Sequence, residues 1–241
     1  MDNDLKNKCL IIIAAYNESD SIERVVDDLR ENHPDYDYVV INDGSTDSTA
    51  SILEERGYNY INLKQNLGIG GAVQTGYRYA LEKGYEAAVQ LDGDGQHDSA
   101  YLNDLTLPIL EGKADYVIGS RFIEKGGFQS SFPRRVGIGF LSFLIHILCS
   151  KKVYDITSGF RAVNRDFIRE FAYYYPDDYP EPQAVMAAAM KGARILEVPV
   201  KMRKRTGGTS SINLFRSIYY MIKVSLEIVI FRIRYTGRRE R

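Results

Sequence analysis

The run Gln90-Leu91-Asp92-Gly93-Asp94-Gly95-Gln96-His97-Asp98 sets two carboxylates two residues apart, behind an apolar approach of Ala87, Ala88, Val89 and Leu91. On extended backbone, side chains at i and i+2 leave the same face. Two carboxylates side by side repel, and burying either alone is costly. Oxygen donors of this kind suit a hard ion such as Mg²⁺ or Mn²⁺, which completes its shell with substrate phosphates. Plain acidic surface turns carry the same spacing, so the rest of the chain decides the meaning.

The elements needed to position such a pair are legible in the first half. Leu10-Ile11-Ile12-Ile13-Ala14 is a continuous apolar run of the buried parallel-strand type. Asp20 and Glu23 form a capping-box pattern before Ile22, Val25, Val26 and Leu29 at helical spacing. Strands are predicted at Tyr38–Ile41, at Tyr60–Leu63 and on the approach to Asp92. Helices are predicted from about Asp47 to Arg56 and from about Gly70 to Lys83, the second burying Val73, Tyr77, Ala80 and Leu81. Alternating strands and helices imply an α/β fold, a mostly parallel sheet with helices on both faces. Ligands of such sheets bind beyond the carboxyl ends of the strands. Tyr16-Asn17-Glu18, Asp43-Gly44-Ser45 and Asp92-Gly93-Asp94 all fall there.

The second half reads less regularly. Tyr116–Ser120 and Ile195–Val200 are strand candidates, and Val136–Cys149 is a helix apolar nearly all round, suited to a core or a membrane surface. Gly68-Ile69-Gly70-Gly71 imitates a dinucleotide fingerprint, but Val73 occupies the third glycine position, which argues against a dehydrogenase.

Composition bounds the function classes. The chain has 241 residues, 44% hydrophobic and 26% charged, with a formal net charge of −1. That is ordinary for a globular protein, and no global field favours nucleic acid. Cys9 and Cys149 both sit in apolar stretches and read as reduced thiols. The polar N-terminus carries no signal-peptide pattern. The uncharged run from Val136 to Ser150 is shorter than the roughly 20 residues a spanning helix needs. The expectation is a cytoplasmic protein, peripheral at the inner face of the membrane. The apolar stretch from Ile212 onward, followed by Arg232, Arg234, Arg238, Arg239 and Arg241, suits an anionic bilayer surface. A membrane partner protein or a homo-oligomer would use the same surface.

Ala15-Tyr16-Asn17-Glu18, Asn42-Asp43-Gly44-Ser45-Thr46-Asp47, Asn66-Leu67-Gly68-Ile69-Gly70-Gly71-Ala72 and Asp92-Gly93-Asp94, in this order, resemble the GT-A glycosyltransferases of family 2. Gly119-Ser120-Arg121-Phe122 and Thr157-Ser158-Gly159-Phe160-Arg161 narrow the resemblance to the branch of dolichyl-phosphate mannose synthase and bacterial polyprenyl-phosphate transferases. It extends over about residues 8–211, which implies a GT-A domain over 1–211 and an amphipathic, basic extension over 212–241. The resemblance implies an inverting transferase that moves a sugar from a GDP- or UDP-sugar to a polyprenyl phosphate, with Mg²⁺ or Mn²⁺. Ala15, Tyr16, Glu18 and Asp43 would hold the base and ribose, with Gly70, Asp92 and Gly93 in the same nucleotide-sugar site. Asp92, Asp94 and Gln96 match the metal-binding motif. Arg121, Arg134, Arg135 and Arg205 match arginines that hold the acceptor phosphate, and Asp94, Arg121 and Arg205 would carry catalysis.

Gln183 stands where relatives often carry glutamate. A hydroxyl acceptor needs a base on its proton. A phosphate monoester, with a second pKa of about 6, is already mostly dianionic at neutral pH. The glutamine therefore favours a phosphate acceptor, unless Glu181, Asp178 or Asp155 serves as base; elongation of a polysaccharide on a hydroxyl stays open, as does a non-catalytic nucleotide-sugar-binding subunit. His97 reads as a loop residue near the diphosphate or a ligand, and Arg161 as a partner for Asp155 or for a ligand.

Overall fold

Alternate residues of one strand define both halves of the core. In the computed structural model, which describes residues 6–124, 132–176, 180–203, 223–230 and 232–233, β1 is Cys9–Ala15, buried along its whole length. Leu10, Ile12 and Ala14 face one apolar cluster; Cys9, Ile11, Ile13 and Ala15 face the other. That is the period-two alternation of a strand covered on both sides.

The remaining strands are β2 (Asp37–Asn42), β3 (Tyr60–Asn62), β4 (Ala87–Asp92), β5 (Tyr116–Ser120), β6 (Arg161–Asn164) and β7 (Ile195–Pro199), in spatial order β3-β2-β1-β4-β6-β5-β7. The pairings β1–β2, β1–β4, β2–β3 and β5–β7 are parallel. β6 runs antiparallel between β4 and β5, which the alternating pattern did not predict. Four residues opening on an arginine carry no periodicity of their own, and β6 is a strand because two neighbours supply its ladder.

Helices α1 (Ile22–Asn32) and α4 (Leu102–Leu110) cover one face, while α3 (Gly68–Lys83), α5 (Phe132–Cys149), α6 (Arg165–Tyr173) and α7 (Pro180–Met190) cover the other. A short α2 (Thr49–Glu55) packs Leu53 beside α1. α1 buries Ile22, Val25, Val26 and Leu29 as predicted, but the Asp20/Glu23 capping box does not form. Its first turn follows Ser21, whose hydroxyl donates to the Gly93 carbonyl at 2.8 Å, and Glu23 pairs with Arg56. α3 presses its backbone on β1: a Cβ at Gly76 would collide with the Ile12 side chain. Leu81 is only half-buried.

α5 is two-faced rather than simply buried. Ile138, Leu141 and Ile145 enter the core, whereas Val136, Phe140, Phe143 and Ile147 are 53–60% exposed. Of the C-terminal extension, residues 223–230 form a helix that places Val224 and Ile228 in the core and leaves Leu226 and Ile230 exposed. Cys9 is buried and Cys149 half-buried, and both are free thiols. Among the described residues no helix is long and apolar enough to cross a membrane.

Candidate active site

Three strands stop at one level, and their ends are stitched together by backbone. Asp43 N–H donates to the Ala15 carbonyl and Gly93 N–H to the Ala14 carbonyl, each at 2.9 Å. Ala15, Asp43 and Asp92 are thereby brought to one edge of the sheet. Asn17 takes a left-handed conformation (φ 55°), and its Oδ1 accepts from the Thr46 amide at 2.8 Å. Glu18 N–H donates to Thr49 Oγ1 at 2.9 Å, so the loops after β1 and β2 form one wall. Tyr16 stands exposed on it. Asp43 is buried, with Oδ1 accepting the Leu67 amide at 2.7 Å at the start of α3. Gly44 completes this corner at φ 65°, where a Cβ would lie 2.7 Å from the Asn66 nitrogen. Gly70 is buried in the first turn of α3.

The paired carboxylates do not sit on one extended strand. β4 ends at Asp92, and residues 93–95 turn, with Gly95 at φ 73°. Asp94 Oδ1 accepts the Gln96 amide at 2.9 Å, so a turn rather than the pleat orients the second carboxylate. The Gln96 carbonyl in turn accepts from Arg203 N–H. Asp92 and Asp94 are half-buried and flank His97, whose Nε2 lies 3.6 Å from Asp92 Oδ2. Among the described residues no three His, Cys, Asp or Glu side chains gather into a complete metal cage. Asp92 and Asp94, with the Gln96 side-chain oxygen, are hard donors of the type that would suit Mg²⁺ or Mn²⁺ completed by phosphate and water.

His97 holds this turn. It is buried, its Nδ1 accepts the Asp92 amide at 3.0 Å, and its ring stacks on Phe160 with centroids 4.8 Å apart and planes 10° apart. Acceptance at Nδ1 puts the proton of the neutral ring on Nε2. Burial pushes its pKa down to about 4, against the pull of Asp94. The imidazole is neutral at physiological pH.

The arginines divide differently from the sequence expectation. Asp155, fully buried, pairs with Arg121 and not with Arg161. Arg121 gives Nε and Nη2 to the two Asp155 oxygens at 2.7 Å each, its own amide to Oδ2 at 3.0 Å, and Nη2 to Thr157 Oγ1 at 2.9 Å. Glu197 on β7 accepts the Tyr154 and Asp155 amides at 2.8 and 2.9 Å and so fixes the loop that presents Asp155. Arg161, at the start of β6, is fully buried and points toward Tyr116 and α7. Arg135 is exposed on α5, while the Arg134 side chain, Arg205 and Asp178 lie outside the described residues. Gln183 donates to Glu227 of the 223–230 helix. Glu181 is half-buried, and burial raises its carboxyl with Arg161 opposing.

Sequence reasoning missed Glu197, and it placed Gly159 in a motif without giving it a role. A lone carboxylate inside the apolar run Ile195–Val200 was the available signal for Glu197. A Cβ on Gly159 would lie 3.2 Å from Asp92 Oδ2, a proximity that no local pattern announces.

A mostly parallel sheet with a carboxylate turn beyond its central strands defines a GT-A glycosyltransferase fold. Solved structures agree: glucosyl-3-phosphoglycerate synthase from Mycobacterium tuberculosis, crystallised with Mn²⁺, UDP and glucosyl-3-phosphoglycerate, is similar with a TM-score of 0.71 and 18% identity, over 96% of this chain and 84% of that one. The profile of Glycosyl transferase family 2 matches residues 10–171. The chain is 31% identical to the UDP-N-acetylglucosamine–dolichyl-phosphate N-acetylglucosaminyltransferase of Methanococcus voltae, over 79% of this chain and 84% of the relative. It is 30% identical to the undecaprenyl-phosphate mannosyltransferase of Micrococcus luteus, over 86% and 88%. The chain belongs to glycosyl transferase family 2. It is a glycosyltransferase, and these two relatives fall in the polyprenyl-phosphate branch that the motifs resemble.

Proposed function

We propose that this enzyme moves a sugar from a GDP- or UDP-sugar to a polyprenyl phosphate, with inversion at the anomeric carbon and with Mg²⁺ or Mn²⁺. One observation carries the reading: the carboxylates closing β4 and the Asp155-oriented Arg121 are joined through a single short segment, residues 157–160. Anion-holding and cation-holding groups are thus neighbours, as transfer between two phosphorylated molecules requires. The acceptors in the names of the relatives, dolichyl and undecaprenyl phosphate, support the same reading.

Asp92, Asp94 and Gln96 would hold the cation, which when bound screens the donor diphosphate as it leaves. The corner of Ala15, Tyr16, Glu18 and Asp43 holds the nucleoside. Arg121, with Arg134, Arg135 and Arg205, orients the acceptor phosphate. A phosphate oxygen bonds the anomeric carbon from the face opposite the diphosphate, and the old glycosidic C–O bond breaks with its electrons going to the diphosphate. No proton has to leave the acceptor, which suits a Gln183 engaged with Glu227. Positioning and electrostatics then carry the rate. Offered undecaprenyl phosphate and a lipid-linked saccharide with a panel of GDP- and UDP-sugars, the enzyme is expected to glycosylate the phosphate in a reaction that EDTA stops and Mn²⁺ restores. Transfer confined to the saccharide hydroxyl would overturn the reading.

The exposed face of α5 supplies the membrane contact in this proposal. Val136, Phe140, Phe143 and Ile147 project beside Arg135, and Leu226 and Ile230 add to the apolar exposure of this half of the chain. Val224 and Ile228 are core residues, so point variants test the surface better than truncation. A fully buried phenylalanine contributes about 1.5–3 kcal/mol. Full-length Phe140→Ser/Phe143→Ser is expected to float with anionic liposomes at least about tenfold less than the unsubstituted protein. Equal flotation would remove α5 from the membrane and assign its face to a protein partner or a second copy.

A further inference from the structure

Arg161 is a fully buried guanidinium, and among the described residues it makes no ion pair. Its acceptors are neutral. Nε and Nη2 both donate to the Ser158 carbonyl, the former at 3.0 Å, and Nη1 donates to Tyr116 Oη at 2.6 Å and to the Glu181 carbonyl at 3.2 Å. Burying a cation this way is costly, and an apolar side chain of similar size would serve stability as well or better. The forked donor set instead does something geometric: two parallel N–H groups on one carbonyl fix the position and plane of one peptide.

That peptide lies between both halves of the site. Ser158 Oγ donates to the Gly119 carbonyl at 2.6 Å, closing the other side. Thr157, just before it, accepts from Arg121 Nη2. Gly159, just after it, presses on the carboxylate turn so closely that a Cβ would lie 3.2 Å from Asp92 Oδ2, 3.3 Å from Gln90 Nε2 and 3.4 Å from His97 Cε1. Phe160 stacks on His97, which holds the Asp92 amide. This four-residue segment thus meets the acceptor-side arginine at Thr157 and the donor-side carboxylate at Gly159.

We propose that Arg161 is a positioning residue, which holds residues 157–160 from beneath and so sets the spacing between Asp92 and Arg121. The inference rests on the proposed use of Asp92 with a divalent cation. Its test reads binding as well as turnover. In calorimetry, the gain in UDP or GDP affinity on adding Mn²⁺ is compared among the unsubstituted protein, Arg161→Lys, Tyr116→Phe and Ile109→Ala. Lysine keeps the charge but loses the fork. Tyr116→Phe removes one anchor of the guanidinium, and Ile109→Ala lowers stability from α4, away from the strand ends. Arg161→Lys is expected to reduce the Mn²⁺-dependent gain and kcat by about 10- to 100-fold each, the range for outer-shell partners of a metal site. Metal-free nucleotide affinity should hold, because the Asp43 corner is untouched. Tyr116→Phe should show a smaller loss of the same kind and keeps the test decisive if Arg161→Lys does not fold.

A purely structural arginine would lower the thermal midpoint of these variants and leave the Mn²⁺-dependent gain and kcat where Ile109→Ala leaves them; that result would overturn the inference. Absence of any Mn²⁺-dependent gain in the unsubstituted protein would overturn the metal-dependent reading itself, and this inference with it.

Discussion

Asp94→Asn is expected to abolish turnover while the protein stays folded. The fold should survive because asparagine has the same shape and its oxygen can still accept the Gln96 amide, as Oδ1 does now. What disappears is the negative charge at the end of β4. A cation held there would supply several kcal/mol of stabilisation to the departing diphosphate. At about 1.36 kcal/mol per factor of ten, the loss should reach at least about 10³-fold. The measurement pairs turnover with nucleotide calorimetry, with and without Mn²⁺. The variant should bind UDP or GDP alike in both conditions, whereas the unsubstituted protein should bind more tightly with metal. Indifference to metal in the unsubstituted protein would remove Asp94 from this role.

The second large effect concerns the buried pair of Arg121 and Asp155. Arg121 is 13% exposed and Asp155 is wholly enclosed, so either single alanine variant strands a charge out of water. Removing one partner of such a pair costs about 3–5 kcal/mol. At about 2–4 °C per kcal/mol for a protein of this size, the thermal midpoint should fall by roughly 6–20 °C. The double variant Arg121→Ala/Asp155→Ala strands neither charge and should be more stable than either single variant. That cycle isolates the pair from its function. If Arg121 serves the acceptor, the double variant should still lose transfer to lipid phosphate while donor affinity holds. A matching loss of donor affinity would place Arg121 on the diphosphate instead. Stability in the double variant no better than in both singles would mean that packing, not the stranded charge, dominates.

The first half of the site was legible because its chemistry sits in contiguous runs. Ala15–Glu18, Asp43–Ser45 and Asp92–Gln96 each follow an apolar strand, and a parallel sheet must bring such ends together. The division of labour among the arginines was not legible. Arg161 is the nearer to Asp155 in the sequence and Arg121 lies 34 positions away, so proximity names the wrong partner; pairing follows from which way each side chain leaves its element. Arg161 belongs to an antiparallel strand wedged between β4 and β5, so it points beneath the site, and Arg121 at the end of β5 takes the carboxylate. The double character of α5 was equally hidden, because a helix apolar nearly all round does not say which stripe meets the core.

The α/β class, the strand ends at which the candidate site lies and the carboxylates and arginines proposed for it were readable from the chain before any contact was known. Local propensity and motif order suffice for that, since each depends on residues close in the chain. Tertiary structure alone decided three things: that His97 is buried and holds Asp92, that Glu197 and Arg161 brace the loops beneath the arginine and the carboxylates, and that Gln183 turns to Glu227. These contacts join residues 3 to 44 positions apart. Such partners are chosen by burial, which leaves each polar group to find whatever donor or acceptor the packed neighbours provide.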